Sequence, residues 1–547
     1  MVCFLQRAVC MRLRALFIPF ILFFFNAIAV SAAIPADSGI ELHVENDFSV
    51  RSNHVTGAGA ESSYLTEGLN YLDILSVYGS GRVGDLRYDF NVGGKMTDDE
   101  NYDIKQYSLT HFNVSLRSEG HQLRVGDVFP FFGDYALSSA IKGAAYKYDG
   151  AAAAYIPEMT VLYGLSAPRW DSLWGGSEVA VSEREVYGAR LLYRLPAPLK
   201  AGINWVRSED SDPAAPDDPM YDTTVCAVDW QFQPIPEFVL TGASAFNATR
   251  VFSEAGTPAD DELDGYALRF TGRSEGGALR LGLEYERVSP DFENPVGSAY
   301  PDREKVKLTG QYRFNESIQA YTNVLWFRDD LDNQKALGRT DVWRPEAGLV
   351  WQGLFHRPRA SARLSCRREI ADREEEDLED NTYIKLNYKD DFGFLETDSN
   401  LGVNFRKQAD ETEDNEEFIY NTTLRSRLSA AGAEFEPQLT LGGWTWKDEL
   451  STAEDQARRC AFGLGIDLPF WQVTGSMAVG INDLDIHDAD DSTRLFGNVN
   501  ITWRMNSLAA AKEAMLYVKG TYNDFEYTSA AEDFREEQII AGIQFKY

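Results

Sequence analysis

The chain has 547 residues, 44 % hydrophobic and 13 % aromatic, with 52 lysines and arginines against 85 aspartates and glutamates. A net charge of −33 argues against nucleic acid as a partner. After residue 33 no apolar run approaches the ~20 residues of a spanning helix, which excludes a helix-spanning membrane protein.

The N-terminus carries Arg7, Arg12 and Arg14 and then an almost wholly apolar stretch over 15–30. Ser31, Ala32 and Ala33 follow as small residues fit for cleavage, so 1–33 is expected to be a secretory signal peptide and 34–547 the mature chain. An uncleaved anchor is the alternative, and the run is short for one. Strand-like sequence then falls near 39–50, 70–80, 85–97, 103–117, 120–128, 141–155, 159–167 and 184–195. The stretch 126–150 is the least strand-like part, with Phe129, Phe131, Phe132 and Tyr135 crowded together. It reads either as a surface loop packed on its own aromatics or, over 126–140, as a loop folded inward.

From Leu195 onward one rhythm repeats: strand, short turn, strand, long acidic connection. Short turns rich in Pro, Gly or small polar residues lie near 196–198, 234–236, 275–277, 315–316, 354–358, 392–393, 431–432, 469–471 and 505–511. The long connections centre on 208–220, 253–264, 289–303, 329–341, 371–380, 408–417, 447–459, 483–491 and 524–537. Between them the residues alternate. Leu279, Leu281, Leu283 and Tyr285 interleave with Arg280, Gly282, Glu284 and Glu286, and Cys460, Phe462, Leu464 and Ile466 interleave with Ala461, Gly463 and Gly465. One face suits lipid and the other a wet interior. Trp205, Trp230, Trp326, Trp351, Trp444, Trp446, Trp471 and Trp503 fall mostly near strand ends, where interfacial aromatics belong. Eighteen such strands join the first eight to predict 26, with 24 or 28 as alternatives.

The last strand ends on alternating Ala541, Ile543, Phe545 and Tyr547. These residues resemble the C-terminal signal of bacterial outer-membrane proteins, in which a terminal aromatic and the apolar residues two, four and six positions before it are read. The stretch 126–150 is also similar to Gly-Asp…Lys-Gly segments of large outer-membrane barrels. The resemblance implies an all-β, closed antiparallel transmembrane barrel in the outer membrane, with both termini periplasmic. It also implies insertion by the barrel assembly machinery and contact with outer-membrane lipid and lipopolysaccharide.

Without the three leader arginines, 49 basic residues face 85 acidic ones, a net charge of −36; the nine long connections together carry −37. Registers expected to face inward hold many bases: Arg269, Arg280, Lys305, Lys307, Arg313, Arg359, Arg363, Arg367, Lys385, Lys389, Arg425 and Arg427. These are the candidate pore-lining residues. Arg359, Arg363 and Arg367 with Lys385, Lys389, Arg425 and Arg427 are expected to form one basic patch with few acids beside it. Two readings follow: a lumen that concentrates anions behind an acidic mouth, or a wet wall whose charges pair across strands.

Nothing marks an enzyme, a cofactor or a metal centre. Cys226, Cys366 and Cys460 are isolated, the six histidines have no ligand spacing, and no P-loop, nucleophile-elbow or H-E-x-x-H pattern occurs. The acidic run 483–491 lacks the glycine and terminal glutamate of a calcium loop.

Twenty-six strands, tilted and ~4.8 Å apart, close at roughly 50 Å diameter. So wide a hole has to be filled by infolded loops or by a partner. Three roles fit: a porin-like channel for solutes or ions, anion-preferring if the bases dominate; a sheath around a periplasmic multihaem cytochrome, since the size resembles porin–cytochrome conduits; and an export channel for an acidic polysaccharide.

Overall fold

Alternating apolar and polar residues form antiparallel strands along nearly the whole chain, and the two ends of that run meet. The computed structural model describes residues 40–150, 156–167, 169–171, 183–195, 198–212, 219–253, 257–334, 338–373, 376–408, 414–451, 453–487, 491–505 and 511–547. The expected signal peptide lies outside the described residues. The first strand, Glu41–Gly57, pairs with Gly68–Val83 on one edge and with the last, Phe534–Lys546, on the other. Ser49 stands opposite both Leu72 and Gly542. Each remaining strand pairs antiparallel with its sequence neighbours, so the sheet closes without an edge. Leu428–Ala430 continues Asp414–Ser426 along the same partner, Ala433–Asp448, which makes 26 staves from 27 strand segments.

The eight N-terminal strands fall close to their expected places, with three differences: the sixth ends at Tyr148, not 155, because its partner begins at His121. The first runs on to Gly57 because Arg51 to Gly57 find partners in Phe534 to Ile540. The fourth starts at Tyr107, not 103, because Asp99 and Asp103 cap a loop that accepts from the Asn101, Lys105 and Ser108 donors. Several stretches expected as loops are pleated ribbon instead. Glu376–Asp391 and Glu454–Leu468 carry their pairing through residues expected in the acidic connections. Cross-strand pairs such as Arg368–Asp380 at 2.6 Å and Arg406–Glu379 at 3.0 Å accompany that extension.

All the short turns fall at one end of the barrel and all the long connections at the other. Gly277 and Gly432 turn in the left-handed region (φ 71° and 82°), where a side chain would be strained. The outer face is apolar: Leu281 and Val479 are each 53 % exposed, and Leu279, Leu283, Met477 and Ile481 line up beside them. Cys226, Cys366 and Cys460 are free thiols exposed on the outer registers. Trp351, Trp471 and Trp503 sit at the short-turn end of that face, exposed. On the last strand Ile539 is exposed, whereas Phe545 is buried against Ala511 and Ala514.

Candidate functional site

Inside the barrel the usual pattern inverts. Val186, Val206, Val225, Ala245, Ala267 and Val288 stand on the inner registers of consecutive strands, yet each is at most 1 % exposed. Two connections from the long-loop end cover them. Residues 129–140 bring Phe132, Tyr135, Ala136 and Leu137 onto this wall, and residues 289–302 bring Phe292 and Val296, all buried in one cluster. The ring of Phe132 fills the space over Gly188, where an added Cβ would lie 2.8 Å from it. Burying each aromatic contributes about 2–3 kcal/mol, so the two segments hold to the wall much as a soluble core does.

Hydrogen bonds fix them to each other and to the strands. Asn294 Nδ2 donates to the Tyr135 and Ala136 carbonyls at 2.5 and 3.0 Å, and Ser298 Oγ to the Asp134 carbonyl at 2.7 Å. The Ser138 amide donates to the Val296 carbonyl at 3.0 Å. Arg190 Nη1 donates to the Phe131 carbonyl at 2.8 Å, and Asn247 Nδ2 to the Glu293 carbonyl at 3.0 Å.

A charge network borders this core. Asp134 pairs with Arg269 at 2.7 Å, Arg269 with Glu284 at 3.3 Å, and Lys305 with Glu284 and Glu286 at 3.0 and 2.7 Å. Tyr135 Oη donates to Glu286 at 2.8 Å, which closes the chain of contacts back onto the infolded segment. Arg190 pairs with Asp229 at 2.9 Å, and Asn204 Nδ2 donates to the same carboxylate at 2.6 Å. Unlike charges alternate along the network, as a partly buried polar wall requires.

The candidate pore-lining residues divide into two groups. Arg269 and Lys305 belong to the network. Arg359 pairs with Asp391, Lys389 with Asp398 at 2.7 Å, and Arg427 with Glu436 and Glu396 at 3.0 and 3.6 Å. The expectation that few acids stand beside that patch needs correction. The strand Leu395–Gln408 lies between the two groups of bases, and its Glu396 and Asp398 directly oppose Arg425 and Lys389. Among the described residues, Arg280, Lys307, Arg313, Arg363, Arg367, Lys385 and Arg425 make no ion pair. Arg363 Nε donates to Tyr321 Oη at 3.0 Å, Arg367 lies over the Tyr383 ring at 5.5 Å, and Arg425 reaches Gln438 Oε1 at 3.4 Å. Arg280, Lys307 and Arg363 line one hollow of about 510 Å³ on the wall, joined by Arg273.

At the long-loop end, burial opposes the ionisation of Asp103, but hydrogen bonds from Arg169 and Lys95 outweigh it and hold the carboxyl well below the usual carboxylate range. This tie therefore persists through ordinary acidic pH and is lost only as pH falls toward the lowered value. Asp302, Asp330 and Asp332 bring carboxylate oxygens within 4.8 Å of one another at that end. Asp302 already accepts from the Asp330 and Leu331 amides.

A closed, even-stranded antiparallel barrel, apolar outside and largely polar on the rest of its inner wall, is an outer-membrane β-barrel. Among the described residues no helix is long and apolar enough to cross a membrane. No protein-family model matches the chain, and no curated protein matches it in sequence. Some solved structures are similar at low scores. The translocation pore of the P pilus usher PapC is 10 % identical with a TM-score of 0.37, covering 92 % of this chain and 99 % of its own. OccK5 (OpdH) of Pseudomonas aeruginosa is 12 % identical with a TM-score of 0.33, covering 64 % of this chain and 97 % of its own. A bacterial polysaccharide outer-membrane secretin is 10 % identical with a TM-score of 0.27, covering 68 % of this chain and all of its own. At such scores nothing about pore, cargo or partner carries over.

Proposed function

We propose that the protein passes small hydrophilic solutes and ions, anions in preference to cations, through a lumen that it narrows itself. One observation carries this reading: the dry core that residues 129–140 and 289–302 build on the inner wall. A barrel of roughly 50 Å would breach the membrane if empty, and these segments narrow it from one side of the wall. Preference for anions rests on Arg280, Lys307 and Arg363, which make no ion pair among the described residues, although Glu284 stands opposite Lys307, while Arg359, Lys389 and Arg427 are largely compensated.

In this reading the short turns face the periplasm and the acidic connections the outside. Residues 1–33 are the cleaved leader, and Ala541, Ile543, Phe545 and Tyr547 are the assembly signal. The wall beyond Arg303 carries no infolded core of comparable size among the described residues. That free half favours, as a second reading, a sheath for a periplasmic partner such as a multihaem cytochrome.

Reversal potentials across a potassium chloride gradient in planar bilayers test the preference. Chloride is expected to permeate better than potassium in dilute salt, with the difference fading as screening grows. Cation selectivity at low salt would refute the preference, because the acidic rim would then dominate.

A further inference from the structure

On the inner wall, at the short-turn end, one row of residues is almost entirely basic. Arg82 stands directly opposite Arg87, Arg87 opposite Arg117, Arg117 opposite Gln122, and Gln122 opposite Lys147. Directly opposed residues share a face of the sheet. That face is the lumen, because Ile141 and Ala145, on the same side of the strand as Lys147, belong to the infolded core. At ~4.8 Å between strands the row spans about 19 Å.

Like charges directly opposed across strands destabilise a sheet, so such a row calls for a counter-charge. Its two ends have one: Arg82 pairs with Asp85 at 3.3 Å, and Lys147 with Glu158 at 2.6 Å. The middle has none. Arg87, Arg117 and Arg124 make no ion pair among the described residues, although Asp89 lies two residues from Arg87 on the same face and Glu119 and Asp149 stand at the rim. Instead Arg117 and Arg124 share a neutral acceptor. The Gln122 amide oxygen, turned toward them, accepts from both Nε atoms at 2.9 Å. Beside it lies a hollow of about 460 Å³ whose bases are Arg82, Arg87, Arg117 and Lys147 and whose acids are Asp85, Glu119 and Asp149.

We infer that this hollow binds the phosphate group of a small solute. Three guanidiniums within one row offer more N–H donors than a carboxylate has oxygens for, and a chloride would use none of their paired geometry. A phosphate takes several paired donors and brings about two negative charges to Arg87 and Arg117, which make no ion pair among the described residues although Asp85, Glu119 and Asp149 line the same hollow. The inference rests on the conduit reading only in placing a solute site in the lumen, and it adds the class of solute.

Equilibrium binding of inorganic phosphate to the full-length protein in detergent, at fixed chloride, tests it. Saturable binding is expected, weakened about tenfold or more in Arg87→Gln/Arg117→Gln, since each lost charge-assisted bond is worth about that factor. Gln122→Glu places a carboxylate between the Arg117 and Arg124 guanidiniums and should abolish binding, with the folded barrel's heat-modifiable mobility unchanged. Phosphate affinity equal in the wild type and both variants, or no saturable binding over chloride, would overturn the site. A protein that binds phosphate in this way but carries no current would support the site and count against the conduit reading alone.

Discussion

Replacing Phe132 and Tyr135 together by alanine is expected to open the barrel. Both side chains are at most 2 % exposed inside the lumen, and truncating a buried aromatic costs about 3–5 kcal/mol each. What then holds residues 129–140 is weaker: the small Ala136 and Leu137 in the same core, the Asp134–Arg269 pair, the Arg190 bond to the Phe131 carbonyl and the hydrogen bonds to 289–302. Loss of Tyr135 also leaves Glu286 without its phenolic donor. The wall itself should stand, because its strands are hydrogen-bonded to neighbours on both sides all the way round. Cells making the variant should therefore take up bulky hydrophilic antibiotics several-fold faster than cells making the wild type, at equal barrel abundance in the outer membrane. Equal uptake would place the infolded segments away from the conducting path.

The second large effect is expected from charge. Arg280, Lys307 and Arg363 border one hollow and make no ion pair among the described residues, though Glu284 stands opposite Lys307 and Glu275 and Glu346 line the same hollow, so they carry the excess of basic charge there. Changing all three to glutamate should turn chloride preference into potassium preference in dilute salt, with little effect on insertion, because the side chains stand in lumen water. By contrast, changing Arg359, Lys389 and Arg427 to glutamate, the same change in total charge, acts on pairs that already cancel with Asp391, Asp398 and Glu436, so the shift should be smaller. Equal shifts from the two sets would mean that total lumen charge, not unpaired charge, governs selectivity.

Most of the wall was legible in the sequence. Period-two alternation located nearly every strand, and the sorting of short from long connections gave the hairpin order. The infolded core was less legible, since a crowded Phe129 to Tyr135 fits a loop packed on itself equally well. A stronger signal lay elsewhere: Val225 and Ala227 interleave with Cys226 and Val228, so that strand is apolar on both faces. The same holds around Val206 and Ala245. A barrel strand with an apolar inner face needs something apolar within the lumen, and that inference requires knowing which strands are neighbours. Residues 289–302 looked like any other acidic connection because only Phe292 and Val296 carry their docking. The compensated patch was misjudged for a simpler reason. Glu396 and Asp398 share the inner register of a strand whose outward residues are Leu401, Val403 and Phe405, and their place opposite the bases shows only once its neighbours on both sides are known.

The most direct test of a self-narrowed conduit is the unitary conductance of the purified wild-type protein in planar bilayers, measured alone and beside Phe132→Ala/Tyr135→Ala. Discrete steps are expected from the single protein, several-fold smaller than those of the variant. Steps of equal size in the two proteins, or no steps from either, would contradict the account.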